Sequence, residues 1–149
     1  MTVQDVRLLA DSFEPDRQIS LFIDANAGLG AMCSFVGLVR RDGDVEALEL
    51  SYYEPLTLPG MENLARTTSV RFELTGLMLL HRVGLLQPGE PIVCVAAAAR
   101  HRRDAFDAVD FAMDHLKSAA WFWKREMRAG TWSWIEPRPQ DHADIARWK

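Results

Sequence analysis

The chain has 149 residues, 48% of them hydrophobic, with 21 acidic against 17 basic side chains and a net charge of −4. That length suits one domain with a substantial core, and an acidic chain with no basic arm argues against a general nucleic-acid binder. The longest apolar runs are too short to span a bilayer and no secretory signal opens the chain, so the sequence reads as a soluble cytoplasmic protein.

In chain order, Val6–Ala10 predicts a short strand and Asp16–Ala27 a short helix, ended by Gly28 and Gly30. Ala31–Val39 reads as a buried strand in which Gly37 marks a bulge or a close backbone approach. Asp42-Gly43 signals a turn into a second strand, Val45–Tyr53, whose alternation slips phase as at a bulge, so the two strands look like a hairpin. Pro55 to Gly60 reads as a loop, Met61–Leu74 as a helix closed by Gly76, and Leu77–Val83 as a strand. A Pro-Gly turn within Leu85–Pro91 leads to the strand Ile92–Ala99. The clearest helix is His101–Ala119, with Ala105, Phe106, Val109, Ala112, Met113 and Leu116 at the 3.6-residue period. Thr131–Ile135 predicts a last strand, and the polar tail from Pro137 ends in a short helix over Asp141–Trp148. Helices alternating with strand pairs give an α+β, or mixed α/β, single domain spanning 1–149.

Cys33 and Cys94 each sit in an apolar run, with no CxxC and no zinc-type spacing, so both read as small core residues and no metal is expected. Glycine-rich phosphate loops and the GxSxG nucleophile elbow are absent.

Basic residues carry the chemical signal. Arg100-His101-Arg102-Arg103 falls between a strand and the main helix, where the helix N-terminus already presents a positive dipole end. Either an anion such as phosphate sits among them, or they pair with carboxylates such as Asp104 or Asp107. Arg40 follows the strand at 31–39. His81-Arg82 ends or lines a strand, where a structural role is the simpler assignment.

Lysine is rare here, three residues against fourteen arginines, yet Lys117 and Lys124 flank the aromatic run Trp121-Phe122-Trp123. Unlike Arg, a partly desolvated Lys gives up its proton and can act as a base or amine nucleophile. The plainer alternative is a helix-end pair with its stems lying on apolar surface. Arg40, His101, Arg102, Lys117 and Lys124 are expected to converge on one cationic pocket, with the Lys117 pKa lowered there.

Six segments occur in order: Phe35-Val36-Gly37-Leu38-Val39-Arg40, His81-Arg82-Val83-Gly84, Pro88-Gly89-Glu90, His101-Arg102-Arg103-Asp104-Ala105-Phe106, Met113-Asp114-His115-Leu116-Lys117 and Phe122-Trp123-Lys124-Arg125-Glu126. Together they resemble the large, catalytic subunit of molybdopterin synthase, the MoaE type, from about residue 3 to 136. The resemblance implies an α/β hammerhead fold and a homodimer within a heterotetramer. It implies sulfur transfer onto cyclic pyranopterin monophosphate, forming the dithiolene of molybdopterin. The donor would be a small ubiquitin-like subunit of the MoaD type with a C-terminal Gly-Gly thiocarboxylate, and neither metal nor organic cofactor would be needed. Lys117 would be the central catalytic lysine and Lys124 its partner. Arg40, His101 and Arg102 would hold the substrate phosphate, Phe35 and Met113 match pocket positions, and Arg138 resembles an arginine contributed across the dimer. Trp121 stands where the family commonly has proline, and the 41–44 loop is short. Two other readings are a non-enzymatic homologue that binds or regulates a ubiquitin-like sulfur carrier, and an unrelated enzyme for small anions.

Overall fold

The two most apolar runs of the chain become its two innermost strands. In the computed structural model, which describes residues 3–27, 30–41, 43–118 and 121–149, these are β4 (Gly76–Arg82) and β6 (Pro91–Ala99). They pair antiparallel, with His81 opposite Val93. β1 (Val3–Leu9) adds in parallel to β4, and β2 (Ala31–Leu38) adds antiparallel to β6 as an edge strand, giving the order β1-β4-β6-β2. All seven residues of β4 are buried, as expected for a strand covered on both faces.

Residue alternation on these strands sorts the core into two layers. Leu77, Leu79, Val93, Val95, Ala97 and Ala99 face α2 (Glu54–Arg71) and α3 (Arg102–Ser118), meeting Met61, Leu64, Ala105, Val109, Phe111 and Leu116. Met78, Leu80, Cys94, Ala96 and Ala98 face the other way, toward Phe22 of α1 (Pro15–Ala25). Each fully buried Leu or Val adds about 1.5–3 kcal/mol relative to exposure, so this double-sided sheet is the main source of stability.

The second sheet is antiparallel, in the order β5-β3-β7-β8, from β3 (Val45–Tyr52), β5 (Gly84–Leu86), β7 (Phe122–Arg128) and β8 (Thr131–Ile135). Its own small core joins Leu48, Leu50, Leu86 and Val39, with Ile92 and Ile135 against them. Arg82 stands at the junction of the sheets. Its Nη2 donates to the carbonyls of Ala10 and Leu85, and Nη1 lies 3.9 Å from Glu90. The last helix, α4 (Pro139–Ala146), packs against α3, and beyond it Trp148 sits edge-on to Phe111 of α3 and to Phe72 at the end of α2.

The α+β class stands. The expected hairpin does not form: β2 pairs with β6 and β3 with β5 and β7, so the 39–44 connection crosses between sheets. The expected loop at Pro55–Gly60 is helical, because Pro55 sits in the first turn, where no intrahelical donor is lost, and α2 continues through Pro59. Gly37 does sit at a register shift, and a Cβ there would lie 2.7 Å from Val93 Cγ1. A second shift, between Val45 and Ala47, marks the irregularity expected in β3. Gly28, Asp42 and Ala119, expected at helix ends and a turn, lie outside the described residues.

Candidate active site

The C-terminal end of α3 delivers Lys117 to the seam between the two sheets, and β7 delivers Lys124 to the same place from the other side. Both line one cavity with His81, Leu116, Phe122, Ile135, Glu136 and Pro137. The cavity has about 40 Å³ of room for waters and is partly open to solvent. Trp121, the residue before β7, is anchored on α2. Thr57 Oγ1 donates to the Trp121 carbonyl at 2.7 Å, and the Trp121 ring lies where a Cβ at Gly60 would come within 2.5 Å. Trp121 therefore depends on a glycine facing it.

Burial is the main cause that lowers the Lys117 pKa to about 8, and the neighbouring Lys124 charge adds to it. Lys124 is lowered as well, again chiefly by burial. Arg138 pushes both lysines further down while Asp141 opposes it. Asp141 is itself engaged by Arg138, which donates to it through Nη2 at 2.9 Å and through its backbone N–H at 3.0 Å. No carboxylate forms an ion pair with either lysine among the described residues.

The two lysines and Arg138 are thus brought together within one chain. His101 and Arg102 are not. They begin α3, and the fifteen residues from Arg102 to Lys117 put about 22 Å of helix between them. The expected convergence of Arg40, His101, Arg102, Lys117 and Lys124 on one pocket is not met within the single chain, because that length of helix separates His101 and Arg102 from the two lysines. Arg40 is exposed beyond β2, where Val39 donates to the Glu90 carbonyl, at the same end of the sheet as His81 but outside the cavity. Phe35 is 42% exposed on β2, and Met113 is half-buried on α3, one turn before Lys117. His101, Arg102 and Arg103 are exposed and form no ion pair with Asp104 or Asp107. His81, which the sequence pointed to as structural, is a wall of the cavity. The sequence holds no direct signal for this, since the contact depends on His81 of β4 stacking on Phe122 of β7.

Cys94 is buried with its thiol pKa pushed up to about 11, and Cys33 is half-buried and raised by the same cause. Such thiols are poor nucleophiles. Cys33→Ser and Cys94→Ser are expected to keep turnover within about twofold of the parent in a sulfur-transfer assay. Loss of turnover with an intact circular-dichroism spectrum would assign a thiol to the chemistry.

Two lysines with lowered pKa values at a seam between two sheets make a cationic site suited to an anionic ligand, and the comparisons narrow it. A family model described as "MoaE protein" matches residues 8–119. The molybdopterin synthase catalytic subunit of Caulobacter vibrioides is 43% identical over 144 residues, covering 96% of each chain. The solved molybdopterin cofactor biosynthesis protein E of Burkholderia multivorans superposes with a TM-score of 0.83 at 37% identity, over 98% of this chain and 97% of that one. A molybdopterin synthase structure from Staphylococcus aureus matches with a TM-score of 0.77 at 25% identity, over 87% of this chain and 95% of that one. The chain belongs to the MoaE family, the catalytic subunits of molybdopterin synthase.

Proposed function

We propose that the chain is the sulfur-transferring subunit of a molybdopterin synthase and that Lys117 and Lys124 carry the proton transfers of that reaction. The observation that supports this most is the shared cavity of two desolvated lysines that form no ion pair among the described residues. In this reading the thiocarboxylate tail of a small ubiquitin-like subunit enters at the seam. Its sulfur bonds to a side-chain carbon of cyclic pyranopterin monophosphate as a C–O bond of that carbon breaks, the oxygen leaving as water in one of the two transfers and on the opened cyclic phosphate in the other. Water then cleaves the acyl C–S bond, leaving sulfur on the pterin and a carboxylate on the tail. Lys117, near neutrality in pKa, takes up or returns a proton, and the charged neighbours stabilise the developing anions. A cationic funnel also steers both anionic reactants. Reconstitution with the two reactants, followed by dithiolene detection, is the test. A merely sulfur-carrier-binding homologue has no need of an amine kept near neutral pKa, which favours the enzyme.

The reading includes a homodimer, and the single chain supplies a reason for one. Its phosphate-binding candidates His101 and Arg102 are separated from Lys117 by about 22 Å of helix. A second copy can bring that pair to the first copy's lysines, so we assign His101 and Arg102 across the dimer and Arg138 to the same chain as the lysines. Arg40, Phe35 and Met113 complete the substrate surface. The edge strand β2 exposes Phe35 and Leu38, and such edges are normally covered. With a small subunit bound to each catalytic subunit the assembly is a heterotetramer, placed in the cytoplasm. Sedimentation is expected to give a species of twice the 16.9 kDa chain mass. A monomer throughout the micromolar range would contradict the shared site.

A further inference from the structure

His81 walls the lysine cavity yet has no part in the transfer just described. It is 2% exposed. Its ring lies on that of Phe122, with centroids 3.9 Å apart and planes within 16°. Its Nδ1 is 2.7 Å from the Arg82 carbonyl oxygen. A carbonyl only accepts, so Nδ1 carries the proton and Nε2 is left unprotonated. Burial drives its pKa down to about 3, with Lys117 and Lys124 contributing in the same direction, so the ring stays neutral wherever the lysines titrate.

The charges around the lysines come from every element packed there. β7 supplies Lys124 and, one pleat further, Glu126. The segment before α4 supplies Glu136 and Arg138, and α4 supplies Asp141. Of the carboxylates near them, Glu126 pairs with Arg128, Asp141 with Arg138, and Asp114 of α3 with Arg147 and Trp148, while Glu136 lines the cavity itself; Asp141 and Glu126 oppose the lowering of the lysine pKa values without outweighing burial. Burial is the largest cause of the lowered lysine pKa values, and the stacked His81–Phe122 pair is part of the wall that buries them.

We propose that His81 is a positioning residue for the lysine pair: a neutral imidazole, clamped on Phe122, that excludes water from Lys117 and Lys124 while giving them no counter-charge. Its consequence for turnover rests on the sulfur-transfer reading, but its effect on the lysines does not. A carboxylate in its place would hold the amines protonated. A gap would admit water and do so more weakly. An apolar ring would preserve the desolvation.

The test is an NMR titration of isotopically labelled lysine and histidine in the intact protein, where three lysines give three assignable signals. In the parent, the His81 imidazole is expected to remain neutral, with the proton on Nδ1, from pH 5 to 9. Lys117 in His81→Phe should titrate within a few tenths of a unit of the parent. In His81→Ala it should rise by about one unit, and in His81→Glu by more. Each unit should lower turnover at pH 7 about tenfold. Equal Lys117 titration in the Ala and Phe variants would overturn the proposal. So would proton uptake by His81 in the unsubstituted protein, a readout that needs no variant to fold. Neither titration uses substrate, so failure of dithiolene formation and failure of this proposal are separately visible.

Discussion

Lys117→Arg is expected to lose sulfur transfer by about 10²–10⁴-fold, the range for removing a general acid–base group, while the fold and small-subunit binding persist. Arg keeps the positive charge but cannot release a proton in the working range. With the Lys117 pKa lowered to about 8, roughly a tenth of the amine is free at pH 7, against fewer than one part in a thousand for an ordinary lysine. The sign follows directly. A group needed as the free amine is inactive below its pKa, so parent turnover should climb with pH and level off above about 8. The Arg variant should be low and flat across that window. Lys117→Ala should be at least as damaging, since it also removes the charge. Single-turnover kinetics across pH 6–9 would decide it. Near-parental turnover by Lys117→Arg would mean that charge alone matters there, and would shift the proton transfer to Lys124.

Mixing two dead variants should restore activity. If His101 and Arg102 serve the lysines of the other chain, a dimer of one Lys117→Ala chain and one His101→Ala, Arg102→Ala chain has one ruined site and one intact site. Random re-pairing makes about half of all dimers mixed, so activity should recover to about one quarter of the parent. A site built within one chain would give no recovery, because every pocket would lack something. Dissociating and reassociating the two variants before assay, with each alone as control, separates the outcomes. The expected difference is a quarter of full activity against a background lower by orders of magnitude, and it depends on the 22 Å of α3 between Arg102 and Lys117.

Local signals in the sequence located most elements and missed the ones decided by distant packing. The stripe on α3 and the apolar runs of β4 and β6 are periodic and long, so their positions were legible. β2 and β3 looked like a hairpin because turn chemistry is local, whereas their partners, β6 and β7, lie far along the chain. β5 has three residues and no pattern to read. The Trp121–Glu126 stretch showed itself as aromatic and basic, but its strand character follows from pairing with β3 and β8.

The site was legible in the same uneven way. The scarcity of lysine singled out Lys117 and Lys124, and the structure places both on one cavity. The distance between His101 and Lys117 was implicit in the helix spanning them, since a continuous α3 cannot bring its two ends together. The place of Arg138 needed the return of α4 beneath Lys117, seen in the Ser118 Oγ bond to the Asp141 carbonyl at 3.0 Å. His81 needed the packing of β4 against β7.

The most direct measurement is reconstitution. The purified protein is combined with a small subunit carrying a C-terminal thiocarboxylate and with cyclic pyranopterin monophosphate, and dithiolene is quantified in a single turnover. Product that depends on the thiocarboxylate, disappears when the tail is an ordinary carboxylate, and falls with Lys117→Arg is the predicted result. A dimer that binds both reactants and yields no dithiolene would contradict it.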